Sequence, residues 1–296
     1  RLMKYGQLLF SIFLFFPISV TADSHLLPDI RLADNTNQVV INIPNTRLFL
    51  YQYGNYANNY PATVGTRLHQ TPQGYFPILA IFYHPVWTIP PTIRKERAEK
   101  GLPDITSIPP GPNNPLGPVF ISIGRSIGIH GTNVPSSVPG IRSHGCIRMH
   151  SKSALQVSRL LKKGDDVFII YQRYALNIDD NGKLWFQKYK NPYKQKDQDL
   201  LAILHTLKKW EEQNNAPINH KCLNDALKQN SGEAICLTCV NQKNAKVEGN
   251  LHSLAWLDGR TTPRYPYHVA PKVNTKSEES LQQSEESPEN SVQSEL

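Results

Sequence analysis

Between Leu116 and Asp165 the chain contains no Asp or Glu. A histidine working in that stretch has no carboxylate nearby in sequence to orient its ring, so a Cys–His–Asp arrangement cannot be built there locally. Apolar runs of membrane length are also missing. The run Leu8-Leu9-Phe10-Ser11-Ile12-Phe13-Leu14-Phe15-Phe16 ends at Pro17 or Val20, short of the ~20 residues of a spanning helix. Arg1 and Lys4 precede it and Val20-Thr21-Ala22 follows it. Residues 1–22 thus have the basic start, apolar middle and small-residue end of a cleaved signal peptide, and an uncleaved anchor is the alternative. No basic-aromatic helix or recognition motif accompanies the net charge of +8, so nucleic acid is not expected as a partner.

The charge is unevenly spread. Residues 272–296 carry Lys272 and Lys276 against Glu278, Glu279, Glu285, Glu286, Glu289 and Glu295, net −4, which leaves +12 on the rest. With almost no apolar residue to bury, this tail is expected to be disordered. The basic body suits an anionic surface such as cell wall, or is an ordinary alkaline composition with no partner.

Short strands dominate what lies between the ends. Val39, Ile41 and Ile43 alternate with Val40 and Asn42, and Asn45-Thr46 punctuates before Leu48-Phe49-Leu50-Tyr51; period two around a polar turn predicts a hairpin. Further strands are expected over Tyr60–Thr66, Phe76–Tyr83, Val119–Ile123, Ile127–His130 and Val167–Tyr171. The fold class read from this is mainly β and sandwich-like, with a short helix and a small helical C-terminal extension. The short helix begins at Ser151 as its cap, has Ala154, Val157 and Leu161 as its apolar stripe, and stops at Gly164. Residues 85–118 hold nine prolines, with room for a short helix from Pro91 over Thr92 to Lys100, ended by Gly101. A proline-rich stretch this long is either a functional lid or a surface insertion. Asn181-Gly182 marks the turn of a last hairpin within Asp179–Tyr193. Lys196–Asn214 follows as an amphipathic helix with Leu200, Leu201, Leu204, Leu207 and Trp210 inward.

The chemistry concentrates in residues 130–148. Cys146 stands in the turn Ser143-His144-Gly145-Cys146, and His130 ends the apolar run Ile127-Gly128-Ile129 sixteen positions upstream. A thiol needs a base within reach to become a nucleophile at neutral pH, and a strand-borne histidine can supply it. Gly145 allows the sharp turn that points successive N–H groups at one oxygen, as an oxyanion hole requires. The residues therefore point to cysteine acyl transfer. Cys146 is the candidate nucleophile, His130 the general base and acid, and His144 and Gly145 the oxyanion or turn residues. Arg148 is a candidate for a substrate carboxylate, since a guanidinium matches its geometry. The ring of His144 either contacts substrate or braces the turn. His69, His84, His150 and His205 show no partner pattern and are read as structural.

His130-Gly131-Thr132-Asn133 with Ser143-His144-Gly145-Cys146-Ile147-Arg148 resembles the signature of the L,D-transpeptidases, the YkuD-type catalytic domain of bacterial wall-crosslinking enzymes. Trp87-Thr88-Ile89-Pro90-Pro91 and Ile108 to Gly117 are similar to the segment preceding the catalytic histidine in the Gram-negative branch, and the likeness covers roughly residues 37–190. The resemblance implies that the backbone carbonyl of Gly131 orients His130, that Arg148, Ser143, Asn133 and Trp87 face the substrate, and that 85–118 is a lid. It implies a periplasmic or envelope enzyme acting on peptidoglycan stem peptides without cofactor. Its acceptor is a second stem, an envelope lipoprotein lysine or water, and carbapenems acylate its thiol. A hydrolytic L,D-carboxypeptidase or cysteine amidase, and a non-catalytic wall-binding protein, are the rival readings. The glycan-binding repeat that many members carry before the catalytic domain is not recognised.

On this reading residues 24–193 form the catalytic domain and 196–271 a small cysteine-bearing module. Three further cysteines, Cys222, Cys236 and Cys239, favour a disulfide with one thiol left over. Together with His220 they also have metal-ligand spacing, which keeps a tetrahedral zinc site as the alternative.

Overall fold

The computed structural model describes residues 25–257 apart from 125 and 243. The segments read as signal peptide (1–22) and acidic tail (272–296) lie outside the described residues. The described chain divides into two compact units, one of residues 32–171 and one of residues 25–31 with 172–257. It is mostly β, with a few short helices. No helix among the described residues is long and apolar enough to cross a membrane.

The first unit opens with the hairpin β1 (Asn37–Asn42) and β2 (Arg47–Gln52), then β3 (Asn55–Gly65), β4 (Gly74–Pro77) and β5 (Ala80–Tyr83). Its middle holds the short pair β6 (Trp87–Thr88) and β7 (Ser107–Ile108), with helix α1 (Pro91–Glu99) between them. It continues through β8 (Val119–Gly124), β9 (Ile127–His130), β10 (Gly140–Ser143), β11 (Ile147–Met149), α2 (Ser151–Leu160) and β12 (Asp166–Ile170). The main sheet runs β4-β12-β1-β2-β3-β11-β9-β8-β5, with β10 beside β3. β1 lies between β12 and β2, and Val39, Val40 and Ile41 are all buried. A central strand covered on both faces reads as a continuous apolar run, which is why its alternation is imperfect.

The single strand expected over Phe76–Tyr83 is two. Ile78 N–H donates to the Asp165 carbonyl and Leu79 N–H to the Ser122 carbonyl. The chain thus passes from β12, which pairs with β4, to β8, which pairs with β5. Helix α2 buries Ala154, Val157 and Ser158, and Gly164 follows it with φ +91°. Ser151 is the first helical residue, and no side chain caps that end. Its hydroxyl instead accepts from Thr132 N–H at 3.1 Å and donates to the Thr132 carbonyl at 2.9 Å.

Segment 85–118 is internally tied. β6 and β7 pair antiparallel, Arg94 meets Asp104 in a two-pronged ion pair, and the buried Asn114 donates to the carbonyls of Pro85, Ile108 and Pro109 at 2.8–3.2 Å.

The second unit contains β13 (Tyr174–Asp179), β14 (Leu184–Lys188), α3 (Leu200–Asn214), α4 (His220–Lys228), β15 (Ala234–Cys236) and β16 (Leu251–Ser253). Its sheet runs β15-β14-β13-β16. Leu176, Leu184, Phe186, Ile203, Leu207, Trp210 and Trp256 share one core. The boundary expected near Tyr193 therefore falls between Tyr171 and Gln172, because β13 and β14 complete the sheet of the C-terminal part. Residues 25–31 join the same unit, with Leu26 N–H donating to Gln187 and Leu27 N–H to Asn177.

Two further expectations are corrected. The inward stripe of α3 is Ile203, Leu207 and Trp210, whereas Leu201 is 79% exposed and Leu204 38%. The four-residue zinc alternative is not assembled. Cys236 and Cys239 form a disulfide with Cα atoms 5.5 Å apart, a normal span for that bond. His220 pairs with Glu211 at 3.0 Å, and Cys222 is a free thiol.

Candidate active site

Strand pairing places the two reactive side chains. β9 and β11 run parallel, with Ile147 opposite Ile129 and Arg148 opposite His130. This sets the end of β9 beside the turn that carries Cys146. Gly128 has no room for a side chain, since a Cβ there would lie 2.4 Å from the Phe120 ring. The Phe120 and His130 rings stack at 6.2 Å.

His130 is buried, and its Nδ1 lies 2.7 Å from the Gly131 carbonyl oxygen. A carbonyl only accepts, so Nδ1 carries the hydrogen and the neutral ring keeps its lone pair on Nε2. Burial, helped by the charge of Arg148, pushes His130 down to about 4 against the pull of the Gly131 carbonyl. Burial pushes the Cys146 thiol up, opposed by the Gly128 N–H and by Arg148. At neutral pH the pair therefore rests as neutral thiol and neutral imidazole. The thiol donates to the Ser126 carbonyl at 3.4 Å, not to the imidazole.

The turn before Cys146 is braced from within. Gly145 adopts φ +109°, a conformation suited to glycine. Its N–H donates to Ser143 Oγ at 3.1 Å, and that hydroxyl donates to the Cys146 carbonyl at 2.6 Å. Thr71 Oγ1 donates to the Gly145 carbonyl at 2.9 Å and accepts from Gly65 N–H at 2.8 Å. The Gly145 N–H is thus taken up by the turn, which leaves the N–H groups of His144 and Cys146 as its remaining candidate oxyanion donors.

A cavity of about 750 Å³ collects most of the candidates. Cys146, His130, Ser143, His144, Arg148 and Trp87 line it, with Phe82, Tyr83, Pro90, Ile93 and Phe120 as apolar wall. Burial presses on the positive charge of Arg148, and its buried Nε has no hydrogen-bond partner among the described residues. Asn133 lies elsewhere: it lines a smaller cavity with Gly111, Asn114 and Ser151 and donates to the Asn113 carbonyl at 3.2 Å. His144 Nε2 sits 3.1 Å from both carboxylate oxygens of Glu96 on α1, and its ring contacts His69. Sequence reasoning missed Glu96 and Ser126, and it left His69 as structural. Neither periodicity nor motif spacing marks them, because only the folded chain brings them to this turn.

The L,D-transpeptidase catalytic domain (YkuD) family model matches residues 36–169. The chain is 30% identical over 155 residues to the probable L,D-transpeptidase ErfK/SrfK of Escherichia coli strain K12, covering 51% of this chain and 50% of that relative. It is 30% identical over 148 residues to the putative L,D-transpeptidase YkuD of Bacillus licheniformis, covering 49% of this chain and 73% of that relative. A solved L,D-transpeptidase from Mycobacterium smegmatis overlaps at TM-score 0.34 and 20% identity, over 46% of this chain and 58% of its own. The chain spans about half the length of the ErfK/SrfK relative. On its sequence similarity the chain belongs to the YkuD-type L,D-transpeptidase family.

Proposed function

We propose that this protein is a peptidoglycan L,D-transpeptidase of the periplasm or cell envelope, working through a Cys146 thioester. The observation that carries the reading is one cavity lined by both Cys146 and a buried His130 whose Nδ1 is tied to the Gly131 carbonyl. With that hydrogen committed, Nε2 is the atom left to take the thiol proton. His130 accepts it as the sulfur attacks the carbonyl between the third residue of a tetrapeptide stem and its terminal D-alanine. Backbone N–H groups of His144 and Cys146 serve the tetrahedral oxyanion, and His130 returns the proton to the departing D-alanine amine. A neutral resting pair means that charge develops only as the bond forms.

The thioester then meets an amine, from a second stem or from an envelope lipoprotein lysine, and the new amide frees Cys146. Arg148 holds a stem carboxylate, and its half-buried, charged guanidinium in the cavity wall supports this. The segment from Trp87 through α1 to β7 acts as a lid, supported by Trp87, Pro90 and Ile93 in the wall.

Tetrapeptide stems incubated with the protein and resolved by mass test the reading. Crosslinked dimers and released D-alanine are expected from the native chain, and neither from Cys146→Ala. Tripeptide without dimer would mean a hydrolytic carboxypeptidase, and turnover by Cys146→Ala would remove the nucleophile assignment. His130→Ala should slow acylation by a carbapenem on the order of 10²–10⁴-fold.

A further inference from the structure

Three chain segments far apart in sequence bring metal-ligating side chains together beside the nucleophile turn. His69 sits in the turn after β3, where its backbone N–H is held by the Thr66 carbonyl and hydroxyl, each at 3.2 Å. Glu96 projects from α1, and His144 stands two residues before Cys146. One donor atom from each lies within 4.8 Å of the others. The two imidazole centroids are 4.6 Å apart with the rings inclined at 41°, and His144 Nε2 is 3.1 Å from the Glu96 carboxylate. The His69 ring makes no hydrogen bond among the described residues.

In a tetrahedral site with bonds of ~2.0–2.2 Å, neighbouring donor atoms stand about 3.3–3.6 Å apart. The His144–Glu96 separation is close to this already, and rotation of the exposed His69 side chain supplies the third donor. Two imidazoles and one carboxylate match borderline transition metals better than Mg²⁺ or Ca²⁺, which prefer all-oxygen sets. The exposure of His69 and His144 leaves a fourth position open to water.

We propose that His69, Glu96 and His144 form a binding site for a divalent transition metal of the Zn²⁺ type, and that the ion clamps α1 to the turn bearing Cys146. His144 lines the cavity, His69 stands against it in the turn after β3, and Glu96 belongs to α1, whose Ile93 lines the cavity wall. An ion joining them fixes how far that wall stands from the sulfur. Binding itself requires nothing of the acyl-transfer reading; a consequence for acylation rests on it.

Zn²⁺ is titrated calorimetrically into the full chain carrying Cys146→Ser and Cys222→Ser, so that free thiols cannot compete. Added His69→Ala and Glu96→Gln variants, both outside the proposed catalytic groups, are compared in the same background. One ion per chain is expected, with affinity falling about tenfold or more in each variant. Amide hydrogen exchange across 91–99 should slow with Zn²⁺ only when all three donors are present. No saturable binding, or an affinity in either variant equal to that of the Cys146→Ser, Cys222→Ser parent, overturns the site. Donor-dependent binding that leaves exchange across α1 unchanged overturns the clamp.

Discussion

Arg148 stands opposite His130 in the parallel register of β11 and β9, and its charge lowers the proton affinity of both members of the Cys146–His130 pair. The two effects have opposite consequences: a weaker base, but a thiol easier to ionise. Arg148→Met should therefore raise His130 from about 4 and push the Cys146 thiol higher still. Imidazole NMR titration should show the first, and the pH dependence of thiol alkylation the second. A His130 titration that does not move would mean solvent screens the guanidinium, and would weaken the case for Arg148 as a desolvated carboxylate ligand.

His130 also links stability to pH. Its pKa in the folded chain is about 4, against about 6.5 in an unfolded one. Above the unfolded value neither state holds the proton. Between the two values only the unfolded chain binds it, so stability falls as pH drops through that window and the loss levels off below the folded value. The full loss is on the order of 3 kcal/mol. Urea unfolding near neutral pH and at about pH 4.5 should show a larger decline for the native chain than for His130→Asn, which lacks the linkage. Parallel declines would mean that His130 protonates freely in the folded state.

The chemistry-bearing residues were legible because they lie in local patterns. The glycine turn before Cys146, the apolar run ending at His130, and the Pro91-to-Gly101 bounds of α1 are each encoded within a dozen positions. Residues defined by distant pairing were not. β1 lies parallel to β12 across more than a hundred residues, and nothing local in Asn37–Asn42 names that partner. Ser151 had the position of a cap, yet its hydroxyl has gone to the Thr132 backbone. His69 and Glu96 had no signal, since each gains meaning only beside His144. The inward face of α3 does not follow its leucines, because the buried stripe runs through Ile203, Leu207 and Trp210 while Leu201 and Leu204 are exposed.

That last correction has a direct test. Ile203 is fully buried in the core of the second unit, whereas Leu201 is largely exposed. Ile203→Ala should cost about 2–5 kcal/mol through lost burial and a cavity, and Leu201→Ala within about 0.5 kcal/mol of nothing. Chemical denaturation of the two variants distinguishes the faces. Equal losses would mean that Leu201 is covered in solution.

The shifted boundary predicts how the chain tolerates truncation. A chain ending at Tyr193 keeps β13 and β14 but loses β15, β16, α3 and α4. Tyr174, Leu176, Leu184 and Phe186 would then lose Ile203, Leu207, Trp210 and Leu237 from their shared core. A two-stranded remnant with a bare apolar face is not stable in water and invites association. That truncation should bind a hydrophobic dye and aggregate. A fragment of residues 32–171 keeps the main sheet, both helices of its unit and the whole Cys146 cavity. It should remain monomeric by light scattering and show a single cooperative melt. A soluble, well-folded chain ending at Tyr193 beside an unfolded 32–171 fragment would instead place the boundary after the β13–β14 hairpin. The catalytic unit would then need that hairpin to fold.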